Sequence, residues 1–179
     1  MIEDKDVMFT HPPKTVMYCY STWQPMYDRM TGVEFHKGLP TREEMESWSD
    51  LLLILDDVMQ AACVSPDVLN LFCVESHHRN ITAAILSQNV FPPGKCARSI
   101  SINSHYIILF AAKRDKLQIQ VLGRQMFPGQ SKYFLQSYND ATNMRYGYLV
   151  CDLHPASNLR FQLRTHIFPG QATWVYQPL

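Results

Sequence analysis

Five consecutive large aliphatic residues, Leu51–Leu55 (LLLIL), are the feature that most limits the possible folds. A strand of this length without polar alternation must be buried on both faces, as happens when helices cover both sides of a largely parallel sheet. Other short apolar runs, Thr15–Tyr20 (TVMYCY), Ile81–Ser87 (ITAAILS) and Tyr106–Phe110 (YIILF), are predicted strands, with Ile81–Ser87 buried, and they alternate with helical patterns. The sequence therefore predicts one α/β domain over residues 1–179, with a largely parallel sheet.

Three helices are predicted after the aliphatic strand. Ser65-Pro66 has the form of an N-cap followed by proline at the first helical position. The helix after it carries apolar residues at helical spacing, and the next two are predicted over 114–126 and 132–141. The expected inward residues are Val68, Leu69, Phe72 and Cys73 in the first helix, Leu117, Val121 and Leu122 in the second, and Phe134, Tyr138 and Ala141 in the third.

The end of the chain has a different pattern, which predicts an antiparallel hairpin at about residues 146–168. Two apolar segments flank the loop HPASN. In the second segment, apolar and polar residues alternate, which is typical of a strand with one buried face. The apolar set is Leu159, Phe161, Leu163 and Ile167, and the polar set is Arg160, Gln162, Arg164 and His166. The basic members favour a solvated face, with DNA or a neighbouring subunit as the alternative.

Composition excludes several classes of protein. The 179 residues carry 16 basic and 16 acidic side chains, so no overall field favours a nucleic-acid or membrane partner. No apolar run approaches the roughly 20 residues of a membrane span, and the acidic start lacks a signal-peptide core. The five scattered cysteines form no C-x-x-C pair, which favours buried, reduced thiols. His77 and His78 are interpreted as cations at the end of a helix in preference to zinc ligands. We therefore expect an intracellular protein, in cytoplasm or nucleus, that is neither secreted nor membrane-bound.

Asp56 and Asp57 directly follow the aliphatic run, and they are the main candidates for chemistry. In P-loop nucleotide hydrolases an apolar strand ending in acidic residues is the Walker B motif. Its first carboxylate, here Asp56, holds Mg²⁺ through water, and the next, here Asp57, orients or deprotonates the attacking water. The alternative is that both residues only cap the strand and begin a helix.

Gln88 and Asn89 follow the next strand along the chain. A polar residue at this place in such folds contacts the γ-phosphate or the lytic water, and turn chemistry is the alternative. The phosphate-binding pattern G-x-x-x-x-G-K-[ST] does not occur in the sequence. Its nearest match, Gly94-Lys95-Cys96, lacks the first glycine, ends in cysteine and follows the aspartates.

Nearly the whole chain resembles the FtsK/HerA-like DNA-packaging ATPases of Maverick/Polinton-type elements and adintoviruses. The most distinctive parts of the resemblance are SHHRN…SQN and LGRQMFPG. Further segments carry it in the same order: MFTHPPKTVMYCYSTWQPMYD, FHKGLP, LLLILDDVM, RSISINSHYIILF, YNDATNMRYGYLVCDLHP and LRFQLRTHIFPG.

The resemblance implies a RecA-like P-loop ATPase that uses ATP and Mg²⁺ and works as a homo-oligomeric ring, pushing double-stranded DNA into a capsid. Residues 51–57 would be its Walker B strand and 81–89 its sensor strand. Members of the family carry a strand and a Walker A loop before the segment matching TVMYCY. That strand is central, between the segments matching Ile81–Ser87 and Tyr106–Phe110. The sequence is therefore expected to be an N-terminally truncated ATPase domain.

Expected site residues follow from the same resemblance. Asp56 and Gln88 would contact the cofactor, Asp56 would bind Mg²⁺ through water, and Asp57 would be the base. A neighbouring subunit would supply an arginine, with Arg98 and Arg114 favoured over Arg79 and Arg124. Without Walker A, weak or absent ATP binding is expected. Two alternatives stay open: a non-enzymatic fragment that associates through an exposed sheet edge, and a small hydrolase using Cys63 or Cys73 with a histidine, which no spacing supports.

Overall fold

The computed structural model describes residues 1–178, and the chain divides into two compact units, Met1–Asn103 and Ser104–Leu179. Both mix helices with strands. The first unit contains a parallel four-stranded sheet and the second an antiparallel four-stranded sheet. No helix in the described residues is both long enough and apolar enough to cross a bilayer.

The sheet of the first unit is built around the aliphatic strand, whose predicted bounds are confirmed. Strand order is β2-β1-β3-β4, and all five residues of β3 are buried. Leu51, Leu53 and Leu55 pack on one face of the sheet, and Leu52 and Ile54 on the other. Apolar cores therefore lie on both sides of β3. The strands are β1 (Thr15–Tyr20), β2 (Glu34–Lys37), β3 (Leu51–Leu55) and β4 (Ile81–Ile85).

Side-chain caps fix where several helices of this unit begin. Thr41 and Glu44 form a reciprocal capping box, and Ser65 accepts a hydrogen bond from the Val68 amide ahead of Pro66, as predicted. Asn80, in the left-handed conformation (φ 52°), ends the helical run that begins at Pro66. The helices are α1 (Lys5–Met8), α2 (Arg42–Glu46), α3 (Met59–Ala62), α4 (Pro66–Asn70), a π-helical turn (Leu71–Glu75), α5 (Ser76–Arg79) and α6 (Ala97–Asn103), with a 3₁₀ helix at Tyr27–Arg29.

Strand β4 differs from its prediction. The whole segment Ile81–Ser87 was expected to be a buried strand, but the strand ends at Ile85 and only Ile81 is buried. The reason is its place in the sheet, because among the described residues β4 pairs with β3 alone. Its other edge has no partner strand, and an edge strand buries less of its side-chain surface than a central one.

The second unit has sheet order β5-β6-β7-β8, antiparallel throughout. Its fully buried strand is β6, whereas β5 lies at an edge and buries only Leu109. The bounds of the YIILF strand are therefore confirmed, but it is not part of a parallel sheet. The elements are β5 (Tyr106–Phe110), α7 (Lys116–Met126), α8 (Ser131–Ala141), β6 (Tyr148–Asp152), a 3₁₀ helix (Leu159–Phe161), β7 (Leu163–Thr165) and β8 (Trp174–Tyr176).

Both helices of this unit form close to their predicted bounds. Phe134, Tyr138 and Ala141 are buried in α8, as predicted. In α7 the prediction that Leu117 points inward is wrong, since it is 63% exposed and the buried residues are Ile119, Leu122 and Gly123. The helix begins later than predicted, because Asp115 caps it by accepting a hydrogen bond from the Gln118 amide. Leu117 thus falls in the first, exposed turn.

The predicted C-terminal hairpin pairs β6 with β7, but its second strand is shorter than the alternation indicated. Leu159 and Phe161 are exposed in a 3₁₀ helix, where the Asn158 side chain accepts a hydrogen bond from the Arg160 amide. Arg164 does not lie free on a basic face, because its guanidinium contacts the buried Asp152 carboxylate at 2.8 Å. Local capping therefore replaced the expected strand extension.

Candidate functional site

The carboxyl ends of β1, β3 and β4 meet at a cavity of about 550 Å³ in the first unit. This edge of a parallel sheet is where open α/β folds bind ligands. Asp56, Asp57 and Gln88, three of the predicted site residues, all line it. The full lining is Ser21, Gly38, Leu39, Asp56, Asp57, Val58, Met59, Gln60, Ala61, Leu86, Ser87 and Gln88.

Asp56 is placed by the strand ladder, which continues one residue beyond β3. Its amide donates to the Cys19 carbonyl at 2.9 Å, so its side chain emerges on the same face as Ile54. There its Oδ2 atom accepts hydrogen bonds from the hydroxyl of Tyr18 at 2.7 Å and of Tyr27 at 3.2 Å. Asp56 is therefore a half-buried carboxylate held by two phenols.

These phenols are not themselves acids near neutral pH. Burial, and after it the hydrogen bond to Asp56, raises the pKa of Tyr18. Burial and the charge of the same carboxylate raise the pKa of Tyr27. Both hydroxyl groups consequently remain protonated and act as donors to Asp56.

Asp57 takes a different conformation and a different partner. Its backbone has φ 55°, in the left-handed region that aspartate enters more readily than most non-glycine residues. Ser21, the first residue after β1, donates its hydroxyl to Asp57 Oδ2 at 2.5 Å. The strand therefore ends in a sharp turn toward α3, and the exposed Asp57 carboxylate lies at the cavity wall.

The two polar residues after β4 have separate roles. Gln88 lines the cavity, whereas Asn89 uses its backbone to close a turn with the Ser87 hydroxyl, at 2.6 and 3.2 Å. Turn chemistry, the alternative considered for this pair, therefore accounts for Ser87 and Asn89. Gln88 is the residue that can reach a ligand in the cavity.

The arginines predicted to act on a neighbouring site are not among the residues lining this cavity. Arg98 is exposed on α6, and Arg114 is exposed after β5 in the second unit. Arg79 is engaged within its own unit, with the Met45 carbonyl at 2.8 Å and Glu75 at 3.3 Å. Arg124 is exposed near the end of α7. The described wall of the cavity thus carries two carboxylates and neither lysine nor arginine.

The segment nearest to a phosphate loop in sequence, Gly94-Lys95-Cys96, packs beside Cys63. The Cys96 amide donates to the Cys63 carbonyl at 2.9 Å, and a Cβ atom at Gly94 would overlap that carbonyl oxygen. Glycine is therefore required there for close packing of two backbone segments. All five cysteines are free, and in residues 1–178 no group of three or more His, Cys, Asp or Glu side chains is placed to hold a metal ion.

Sequence reasoning missed Tyr18, Tyr27 and Ser21. Tyr18 reaches Asp56 because β1 and β3 pair in parallel with Tyr18 opposite Ile54, a register that local patterns do not encode. Tyr27 comes from the 3₁₀ helix between β1 and β2, which no local sequence pattern indicates. Only Ser21, at the predicted end of a strand, lay where a site residue is expected.

The fold is similar to that of a viral genome-packaging NTPase. One solved structure, the genome packaging NTPase B204 from Sulfolobus turreted icosahedral virus 2 in complex with sulfate, matches with a TM-score of 0.54 and 10% identity, covering 92% of this chain and 82% of that chain. The same NTPase in complex with ATP-gammaS matches with a TM-score of 0.52 and 10% identity, over 93% and 83%. No family model and no curated protein sequence matches the chain. At 10% identity the similarity establishes the fold alone.

Proposed function

We propose that this chain is part of a DNA-packaging ATPase of the FtsK/HerA-like class, the part that holds Mg²⁺ and positions the lytic water. One observation carries the proposal: Asp56, Asp57 and Gln88 line a single cavity at the carboxyl edge of the parallel sheet. The fold's similarity to a genome-packaging NTPase supports the same assignment. In this proposal the chain has a RecA-like core, β3 is the Walker B strand and β4 is the sensor strand.

Each residue has a distinct chemical role in this proposal. Asp56, fixed by two hydroxyl donors, holds Mg²⁺ through water. Asp57, exposed at the cavity wall, accepts the proton of the attacking water or orients that water. Gln88 hydrogen-bonds the γ-phosphate or the same water. Phosphoryl transfer needs little covalent participation by the protein, so positioning and charge neutralisation supply most of the catalysis.

The charge of the cavity determines what else the proposed function requires. Two carboxylates and no basic residue line it in the described chain, so a triphosphate would meet net repulsion without added cations. Mg²⁺ supplies some of the charge. The remainder, in this proposal, comes from a phosphate-binding loop outside these 179 residues and from an arginine of a neighbouring subunit, Arg98 or Arg114. The working form is then a ring of subunits around double-stranded DNA.

Metal binding by the 179-residue chain tests the assignment of Asp56. Mn²⁺, a paramagnetic substitute for Mg²⁺, is titrated and its free fraction is read by electron paramagnetic resonance. Wild type and the control Glu43→Gln, which removes an exposed carboxylate on α2, should bind Mn²⁺ alike. Asp56→Asn should lose most of this binding. Equal binding by Asp56→Asn and wild type would overturn the proposed metal role.

Calorimetry with ATP tests the incomplete phosphate site. We expect weak or undetectable ATP binding by the chain alone, because the described cavity lining contains no lysine or arginine to neutralise the phosphates. Micromolar binding that disappears in Asp56→Ala would show a complete nucleotide site within these residues, and the proposed external loop would then be wrong.

For the protein isolated from the cells that make it, DNA-stimulated ATP hydrolysis is expected, and it should be absent from Asp57→Asn.

A second candidate function is association without catalysis. The observation that favours it is the edge of β5, which has no partner strand among the described residues; there Tyr106, Ile108 and Phe110 are exposed by 52%, 43% and 63%. An exposed apolar edge strand is a template for pairing with another chain. Association that does not depend on nucleotide would favour this candidate, and nucleotide-dependent assembly would favour the ATPase.

A further inference from the structure

The hydrogen bonding of Asp56 is unequal between its two oxygens. Oδ2 accepts from two hydroxyl groups, Tyr18 at 2.7 Å and Tyr27 at 3.2 Å. Among the described residues, no hydrogen bond is made to Oδ1. In a cavity-lining carboxylate held in this way, Oδ2 is occupied by two hydroxyl donors and Oδ1 is left for a ligand.

Both donors are rigidly placed. Tyr27 is 1% and Tyr18 is 6% exposed, and their rings lie 5.2 Å apart, centroid to centroid. Phe35 packs against both rings, with centroids at 5.4 Å from Tyr27 and 5.9 Å from Tyr18. Because aromatic packing holds the rings in place, rotation of the Asp56 carboxylate would lose both hydrogen bonds, which favours the orientation seen.

We propose that Tyr18 and Tyr27 are positioning residues that make the Asp56 site selective for Mg²⁺ over Ca²⁺. The inference rests on the metal role proposed above for Asp56. Ca²⁺ accepts both oxygens of one carboxylate and tolerates irregular geometry, whereas Mg²⁺ requires near-octahedral geometry, keeps several waters and takes one oxygen per carboxylate. Bidentate binding of Ca²⁺ would compete with the two hydrogen bonds at Oδ2. Contact with Mg²⁺, or with one of its waters, through Oδ1 breaks neither.

A phenol-to-phenyl exchange tests this because it removes only the hydroxyl groups. Tyr18→Phe/Tyr27→Phe is compared with Tyr20→Phe, a tyrosine of the same aromatic cluster whose centroid lies 5.7 Å from that of Tyr27. Among the described residues, the hydrogen bonds of Asp56 come from Tyr18 and Tyr27 and not from Tyr20. Tyr20→Phe therefore controls for ring chemistry without altering the carboxylate.

The measurement is displacement of bound Mn²⁺ by Mg²⁺ or Ca²⁺ from the 179-residue chain. The double variant should lose about tenfold in Mg²⁺ affinity, a typical effect of removing a group that orients a metal ligand. Its Ca²⁺ affinity should be retained or rise, so the Mg²⁺/Ca²⁺ preference falls. Tyr20→Phe should match wild type. Near-ultraviolet circular dichroism verifies that the aromatic cluster is intact, and the two single variants replace the double variant if it does not fold.

The outcomes separate this inference from the one on which it rests. If Asp56→Asn loses metal and the double variant keeps the wild-type preference for Mg²⁺, the tyrosines are only structural and the inference is wrong. A parallel loss of affinity for both ions, with unchanged preference, has the same meaning. If Asp56→Asn binds metal as well as wild type does, the metal role of Asp56 fails and the selectivity fails with it.

Discussion

Asp56 and Asp57 are adjacent in the chain but are held in different environments. Asp56 continues the strand and accepts two phenolic hydrogen bonds, whereas Asp57 turns the chain through a left-handed conformation and is held by Ser21. Most residues with a side chain lose about 1–2 kcal/mol in that conformation, and aspartate and asparagine lose less. The two carboxylates are thus separated in direction by the backbone itself, which suits different roles in one site.

Substitutions at Asp57 should reveal this backbone constraint. We expect Asp57→Ala to be about 1–2 kcal/mol less stable than Asp57→Asn, because only asparagine shares the tolerance of aspartate for positive φ. Urea denaturation of both variants measures the difference. The same pair at Asp28, an exposed residue without positive φ, should differ by no more than about 0.5 kcal/mol. Equal stability of the two Asp57 variants would show that the turn adapts without strain.

The candidate site residues were predictable to the extent that local sequence encodes them. An apolar run followed by acids places Asp56 and Asp57 at a strand end, and Gln88 follows the next strand. Residues that reach the site through register or packing, such as Tyr18 and Tyr27, carry no local signal. Their positions depend on which strands pair and on a short 3₁₀ helix packed above the sheet.

At the scale of elements, Asp50 ties together the amino ends of three strands. It precedes β3, and its carboxylate contacts the Lys14 ammonium ahead of β1 at 2.6 Å and the Asn80 amide ahead of β4 at 2.8 Å. Its backbone joins the same neighbours, because its carbonyl accepts from the Lys14 amide and its own amide donates to the Arg79 carbonyl. The parallel register of the sheet is therefore reinforced at the end opposite to the site.

Asp50 should make stability depend on pH in the acid range. The hydrogen bond from Lys14, and after it the one from Asn80, holds the pKa of Asp50 below its ordinary value of about 3.9. A carboxyl group whose pKa is lower in the folded state than in the unfolded state stabilises the fold. This contribution is fully present at pH values above the unfolded-state pKa, and it is lost as the pH falls through the folded-state pKa. Asp50→Asn, which tolerates the same positive φ, should be less stable than wild type at pH 7, and the gap should close below about pH 4.

Urea midpoints at neutral and acid pH measure that gap. Lys14→Gln removes the main cause of the lowered pKa and should flatten the acid dependence in part. A difference between wild type and Asp50→Asn that stays constant from pH 7 to pH 3 would contradict the assignment.

Element bounds were predictable where periodicity and caps agree, and not elsewhere. The strand Leu51–Leu55 and the helix with Phe134, Tyr138 and Ala141 inward follow directly from apolar spacing. The alternation after Leu159 has the period of a strand, yet the Asn158 cap starts a 3₁₀ helix there. Burial of β4 was overestimated because an apolar run does not reveal whether its strand has one neighbour or two.

At the scale of the molecule, each of the two units carries a sheet with an unpaired edge. Among the described residues, the edge strands are β2 and β4 in the first unit and β5 and β8 in the second; β4 leads into the cavity that Asp56 lines. Unpaired backbone N–H and C=O groups are tolerated at an edge strand when they hydrogen-bond to water. An edge strand with exposed apolar side chains, in contrast, favours association with another chain.

The last prediction concerns association through β5. Ile108→Lys places a charge on the exposed edge strand and should reduce self-association, because lysine on an edge opposes pairing with another strand. Ile102→Lys adds the same charge at an exposed isoleucine of α6, outside any strand, and should leave association unchanged. Sedimentation velocity with and without Mg·ATP measures both variants against wild type. Association that needs nucleotide and ignores Ile108→Lys would indicate that a ring contact, and not the sheet edge, brings the subunits together.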